Sequence, residues 1–491
     1  MDVVDDFRCD VIVGAEVQEG LLETAVAPQL LQTADFRSAF GNGGDATTKM
    51  RWQTDCSSAH HRTQSFSALR PQPVLVQDPP RLERRALARL IGQTSAMRVL
   101  VSSFPAIGHV HPMVPLSQSF AARGDDVLWA TGPDAGPIVD SAGLRSVAVG
   151  VGAAEMRHTF FERFPEALTL RPDQLPGFMF PHLFGSVAAP ATLPDLLAVS
   201  QSWHPDVIVH GAGSLAAPIV AALVRVPNVC VGYGTLVAPE RVAAAADAVA
   251  PLWAENGLEP RPWAGCYDNL YIDIYPPSLR SGPSNHVPHQ QSMRPVTFSA
   301  DVMSDGLDGR EMAELAAGDR PLIYLTFGTV FNATTGPFRE AVLGLVDLDA
   351  RLVVTVGPHG DPTAFGALPP NVSVHRYVPQ QLLLQRCSLV VSHGGSGTFL
   401  GALDHGLPQL CIPQAADQFA NAHAGATTGA SLTLLPHQCS RDAVRDAATR
   451  LLTEPSFRSS ARRIRDELRS MPSPDDTASV VERLVSTHPV G

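Results

Sequence analysis

Residues 392–422 read SHGGSGTFLGALDHGLPQLCIPQAADQFANA, and this segment restricts the possible folds more than any other part of the chain. An apolar run over 388–392 meets a cluster of glycines, a helix is predicted over 397–405, a second apolar run ends at Pro413, and another helix is predicted over 418–427. Strand, turn, helix and strand in that order make the repeating unit of a parallel sheet covered by helices. The backbone N–H groups from Gly394 through Gly395, Ser396 and Gly397 to Thr398 would open a helix, where aligned peptide dipoles favour an anion such as phosphate. One strand further on, Asp417 and Gln418 supply the acceptors and donors that sugar hydroxyls need. Together these features suit a sugar carried on a diphosphate.

A chain of 491 residues is too long for one hydrophobic core and implies two or more domains. With 45% apolar and 17% charged residues it has the composition of a soluble globular protein. A formal charge of −12 argues against a nucleic-acid partner, and the arginine-bearing stretches 81–89 and 458–469 read as solvated helix faces. The apolar run 215–224 contains Pro218 and is about half the length of a membrane span, so no integral membrane segment is expected. Asp2, Asp5, Asp6 and Asp10 near the start do not suit a secretory leader. Seven cysteines without a CxxC pair fit reduced thiols and a cytoplasmic location.

Residues 1–96 show little periodicity and include the GNGGDATTK stretch, so they are expected to be poorly ordered or weakly packed, with either translation starting at Met97 or a regulatory or docking extension as the reading. From Arg98 the pattern is regular. Strands are predicted over 98–103, 126–132, 146–151, 206–209 and 228–232, with helices over 112–124 and 215–225. The Phe-, Met- and Pro-rich region 155–200 does not resolve into elements. A run of Pro, Ser, His and Gln over 273–300 reads as a linker. A second α/β series follows, with strands at 322–327, 351–357, 372–375, 388–392 and 409–413. The expected organisation is an acceptor-binding α/β domain over 97–300, a nucleotide-sugar-binding α/β domain over 301–472, and a final helix within 473–491 packing back on the first domain. Two doubly wound, Rossmann-like domains would face each other, with the active site in the cleft beyond their strands' carboxyl ends.

Two turns at such ends carry chemistry. In FPAIGHVHP, Gly108 permits close approach and His109 sits at the start of a helix, placed either to take a proton from a hydroxyl or simply to pack and cap. His111 makes a His-x-His pair with no third ligand in register, so no metal is expected. In SHGGSGT, His393 would stand beside a departing phosphate. The turn TFGT, with Gly328 and Thr329, offers a second glycine and hydroxyl turn to the same diphosphate. The DxD match at Asp347 and Asp349 falls at the wrong end of its sheet and is read as a loop.

GHVHP, YLTFGTVFN, YVPQ with the following leucines, HGGSGT and PQAADQFANA together resemble the GT-B-fold nucleotide-sugar glycosyltransferases of the family 1 type. More narrowly, they resemble actinobacterial natural-product enzymes of the macrolide and enediyne type, over roughly residues 97–489. The resemblance implies inverting transfer of a sugar from a dTDP- or UDP-linked donor to a hydroxyl of a hydrophobic aglycone, without metal or other cofactor. It implies His109 as general base and Thr329, His393, Ser396, Gly397 and Thr398 as diphosphate contacts. Gln380 with the backbone near Tyr377 and Val378 would meet the nucleobase and ribose, and Asp417 and Gln418 the donor sugar. For Tyr377 packing at a strand end, and for Asp417 a helix N-cap, are competing or coexisting roles. Phe160, Phe178 and Phe180, from an aromatic-rich region, are the tentative acceptor contacts. A homodimer is compatible with the pattern.

One departure stands out. Many relatives carry an aspartate after the strand equivalent to DVIVH, where this chain has His210, Gly211 and Ala212. Another acid or a substrate group would then complete the dyad, or His109 works alone, or the protein is catalytically weak. A non-catalytic partner that activates a transferase is the alternative function, with a sugar-nucleotide epimerase behind it.

Overall fold

The computed structural model describes residues 96–172, 174–298, 318–328, 336–357 and 360–488, all within one compact unit, residues 75–491. The expectations placed on residues 1–95 and on Thr329 lie outside the described residues.

Thirteen strands are described. The first seven are β1 (Arg98–Ser102), β2 (Asp126–Thr131), β3 (Arg145–Ala148), β4 (Val207–Gly211), β5 (Asn228–Val231), β6 (Leu270–Asp273) and β7 (Gln290–Ser292). They form a sheet in the order β3-β2-β1-β4-β5-β6-β7, parallel throughout. The other six are β8 (Leu322–Thr326), β9 (Arg351–Thr355), β10 (Val372–His375), β11 (Leu389–Ser392), β12 (Gln409–Cys411) and β13 (Ser431–Thr433). They form a second parallel sheet, β10-β9-β8-β11-β12-β13. Both are doubly wound Rossmann-like sheets, whose strand order reverses between β1 and β4 and between β8 and β11. Val99, Leu100, Val101, Ile323, Leu325, Val390 and Val391 are all completely buried. Unbroken apolar runs of this kind are what helices on both faces of a sheet require.

The structure differs from the sequence reading in two regions. Inside the expected linker, β6 ends at Asp273 and β7 joins the sheet edge at Gln290. Asp273 is fully buried and gathers this Pro-rich stretch by accepting from the Tyr275 backbone N–H at 2.8 Å and Gln290 Nε2 at 2.7 Å, and by pairing with Arg280 at 2.8 Å. In the unassigned region, residues 175–203 form one helical run of 29 residues, widening into π-type turns over Phe180–Ala188. Pro181 and Pro194, which read as breakers, lie inside it. The run is long and apolar enough to cross a membrane by length and composition. Phe180, Leu183, Leu196 and Trp203, however, are buried within the first half's apolar core.

A single apolar cluster joins the halves. It runs from Val99, Phe120 and Trp129 through Tyr275 to Phe399 and Leu400, and on to Val481 and Val485 of the last helix, Pro474–Thr487. Ser473 and Asp476 close a capping box at the start of that helix. The helix lies against Val114–Ala122, where Arg123 also meets Glu482 at 2.6 Å and Asp475 at 3.6 Å. Both carboxylates are well exposed, so those ion pairs contribute at most about 1 kcal/mol. Burial of a valine such as Val481 contributes about 1.5–3 kcal/mol. Val481→Ala is therefore expected to lower stability to urea clearly more than Arg123→Ala does, as read from unfolding midpoints at pH 7.

Candidate active site

The carboxyl ends of both sheets open on a shared cavity of about 830 Å³, large enough for a nucleotide sugar with part of an acceptor. From the first half, β1 leads through Phe104 into the short helix Ile107–Val110, which carries His109. Phe104, Phe184 and Tyr233 surround the imidazole with ring centroids 5.3, 5.2 and 4.5 Å away. The loop after β4 passes alongside, tied to β1 by the Ser102–Ser214 hydroxyl pair at 2.8 Å. Gly213 makes this approach possible, since a Cβ there would stand 3.1 Å from His109 Cε1 and 3.2 Å from Nδ1. Nδ1 is buried and has no hydrogen-bond partner among the described residues. Gly211 brings no carboxylate, and its missing Cβ would face Met113.

The second half presents its turns opposite. His393 follows β11 and fits between two glycines. A Cβ on Gly328 would lie 2.8 Å from its Cε1 and one on Gly395 2.5 Å from its Nε2. Gly328 and Gly394 have φ of +75° and +80°, which a side chain would resist. The helix Ser396–Asp404 then starts with no side chain capping its first N–H groups, and Ser396, Gly397 and Thr398 line the cavity. Ser396 Oγ donates to Asp417, and Thr398 Oγ1 donates to Gln380 Oε1 at 3.2 Å. Gln380, Tyr377 and Val378 line the same wall.

Asp417 occupies the N-cap position of Gln418–Thr427 without capping it. Its carboxylate turns instead to Ser396 and to Asn421 Nδ2, the latter at 3.2 Å. Burial pushes its pKa up, and these hydrogen bonds pull it back down. Gln418 uses its Oε1 to accept from the N–H groups of Gln414 at 2.7 Å and Ala415 at 2.9 Å. Only its amide NH₂ remains for a ligand.

Among the aromatic candidates, Phe180 lines the cavity. Phe160 is completely buried and Phe178 stacks on His182 at 4.1 Å, and neither reaches the cavity wall. Met179, Leu183 and Phe184 line the cavity with Phe180. Asp347 and Asp349 pair with Arg441 and Arg320, away from the cavity.

Four residues that matter here escape a reading of the sequence: Tyr233, Gly234, Tyr275 and Asn421. Asn421 donates to the Gly394 carbonyl at 2.9 Å and Ser396 Oγ at 3.0 Å, and accepts from Tyr275 OH at 2.9 Å. Gly234 sits so close to the second half that a Cβ would fall 2.1 Å from Ser396 Oγ. The one available signal was the placement of Asn421 one helical turn after Asp417.

The C-terminal residues 340–485 match the family model described as erythromycin biosynthesis protein CIII-like, C-terminal domain. The chain is 35% identical to elloramycin glycosyltransferase ElmGT of Streptomyces olivaceus, over 78% of this chain and 96% of the relative. The crystal structure of the glycosyltransferase SnogD from Streptomyces nogalater superposes with a TM-score of 0.66 at 30% identity, over 79% of this chain and all of SnogD. The glycosyltransferase VinC, solved in complex with dTDP, gives 0.64 at 27% identity, over 79% and 100%. The chain belongs to the actinobacterial natural-product glycosyltransferases. Its architecture is the GT-B fold of that family, and the protein is a transferase enzyme.

Four imidazoles of this glycosyltransferase, His109, His111, His210 and His393, have pKa values lowered from 6.5 to about 4, chiefly by burial. Groups held neutral in the fold but free to protonate when unfolded make stability rise with pH between about 4 and 6.5. Asp417 and Asp273, raised by burial, act in the opposite sense. Stability to urea is expected to fall as pH drops from 7 to about 4.5, and to fall less steeply in His210→Leu, which removes one buried imidazole with no place in the cleft.

Proposed function

We propose that this glycosyltransferase transfers a sugar, with inversion, from a dTDP- or UDP-linked donor to a hydroxyl of a hydrophobic aglycone, and that His109 is the general base. The observation that carries this reading is the meeting in one cavity of His109, from the first half, with the diphosphate-type turns of the second. A neutral imidazole at the mouth of an apolar wall is in the right form to accept a proton. The leaving diphosphate would be held by Gly328, Thr329, His393, Gly395, Ser396, Gly397 and Thr398, with the helix N-terminus opposing its charge. Tyr377, Val378 and Gln380 would hold the base and ribose, and Asp417 with the Gln418 amide the sugar. The dTDP in the VinC structure supports a thymidine donor. The reading places no metal in the step and the enzyme in the cytoplasm.

Purified protein incubated with a panel of dTDP- and UDP-hexoses and polycyclic aglycones is expected to give a glycoside detectable by mass. His109→Ala is expected to lower kcat by about 10²–10⁴-fold while leaving dTDP affinity within about twofold. Equal rates in both proteins would remove His109 from the mechanism. The partnerless Nδ1 of His109 favours one second reading, a non-catalytic activator of another transferase. Tight dTDP binding with no product from any donor and acceptor would establish that instead.

A further inference from the structure

The chemistry of the acceptor hydroxyl follows from what surrounds His109, and the argument depends on the general-base role proposed above. A base that takes a proton must carry the resulting positive charge. The usual support is a carboxylate on the far ring nitrogen, which orients the imidazole and offsets its charge. Here Gly211, which ends β4, and Gly213, which presses on the imidazole, bring no carboxylate, and Nδ1 has no partner among the described residues. Phe104, Phe184 and Tyr233 pack around the ring instead, in tilted and edge-on arrangements. Tyr233, the titratable member of the three, is held neutral because burial and the nearby Asp417 push its phenol up. Asp417, across the cleft, is already engaged by Ser396 and Asn421. Aromatic faces attract a cation, but more weakly than a buried carboxylate does.

We propose that the acceptor hydroxyl of this enzyme is phenolic. The more firmly a hydroxyl holds its proton, the more charge must develop on His109 before the oxygen becomes nucleophilic. An aliphatic hydroxyl, like water, holds its proton far more firmly than a phenol, which ionises near 10. The burial that already lowers the imidazole pKa to about 4 widens the gap in both cases, and leaves the phenol the smaller one. The wall beside His109 agrees independently: Met179, Phe180, Leu183 and Phe184 form an apolar, aromatic face suited to a flat aromatic acceptor. In the step, the phenolic O–H proton passes to the imidazole and the oxygen lone pair forms the bond to the anomeric carbon. The bond from that carbon to the diphosphate oxygen breaks, and the nucleoside diphosphate leaves with the electron pair. An acceptor arriving as phenolate has already given its proton to water.

The test uses the full chain with dTDP- and UDP-hexoses and two acceptors on one scaffold, a hydroxyanthraquinone and a hydroxymethylanthraquinone. The phenol is expected to be glycosylated with a kcat/KM at least about 100-fold higher than the alcohol. Across a series of phenols with pKa from about 10 down to about 7, the kcat penalty of His109→Ala is expected to shrink at least about tenfold. Comparable transfer to the hydroxymethyl compound, or a His109→Ala penalty unaffected by phenol acidity, would overturn this inference and leave the proposed function standing. Absence of transfer from every donor to every acceptor would overturn both.

Discussion

Asn421, which does not line the cavity itself, ties together more of its wall than the residues that do. Its side chain is completely buried, and its amide hydrogens reach the Gly394 carbonyl at 2.9 Å, Ser396 Oγ at 3.0 Å and Asp417 at 3.2 Å. Its oxygen accepts from Tyr275, which belongs to the first half of the molecule. One amide thereby fixes the glycine turn, the first residue of the helix Ser396–Asp404 and the Asp417 carboxylate relative to one another. Because buried polar groups are costly when unpaired, each of these partners holds the others in place. The bond to Tyr275 extends this arrangement across the cleft and so connects the turn to the half that carries His109.

The spacing between the halves is set by missing side chains as much as by present ones. At Gly234 the first half comes close enough to Ser396 that even a methyl group would collide, and at Gly213 the loop after β4 presses on His109. Gly328 and Gly395 leave the space that His393 fills. This closeness has an electrostatic consequence. The imidazoles at the junction are withdrawn from water and stay neutral, with pKa values near 4. These two imidazoles therefore offer the cavity neutral hydrogen-bonding groups, and the charged side chains of its lining, Arg157, Glu240, Arg241, Arg376 and Asp417, stand elsewhere on the wall.

These relations explain what could be read from the sequence. The strands 98–103, 322–327 and 388–392 were legible because a parallel sheet covered on both sides needs unbroken apolar runs. The turn at 392–398 was legible as a strand-to-helix junction because its glycines separate an apolar run from a helical pattern. The strand Gln290–Ser292 was not: it is a three-residue, half-buried edge strand in a proline-rich run, held by the buried Asp273, which lies 17 positions earlier than Gln290. The helix over 175–203 was hidden by prolines that its widened turns tolerate. Phe160 and Phe178 share the composition of the pocket region but not its position, since which face of a helix meets a cavity depends on packing from distant segments. Tyr275 and Asn421, 146 residues apart, carry no pairwise signal in one sequence.

The last helix shows how the same logic reaches the ends of the described chain. Residues 474–487 follow the second sheet in sequence, yet Ala478, Val481 and Val485 complete an apolar cluster whose other members are Val99, Phe120 and Trp129 of the first. That cluster also holds Phe399 and Leu400, from the helix whose N-terminus faces the cavity, and Tyr275, which bonds Asn421. Hydrophobic burial is non-directional, so by itself it brings the two halves together without fixing their angle. The Tyr275–Asn421 bond and the close contact at Gly234 are directional, and they select one angle among those the cluster would permit. Cohesion and alignment thus come from different interactions. Truncation of an aliphatic member of the cluster is felt mainly as lost stability, while loss of the Tyr275 hydroxyl or a side chain added at Gly234 changes where His109 stands relative to Ser396 and Asp417.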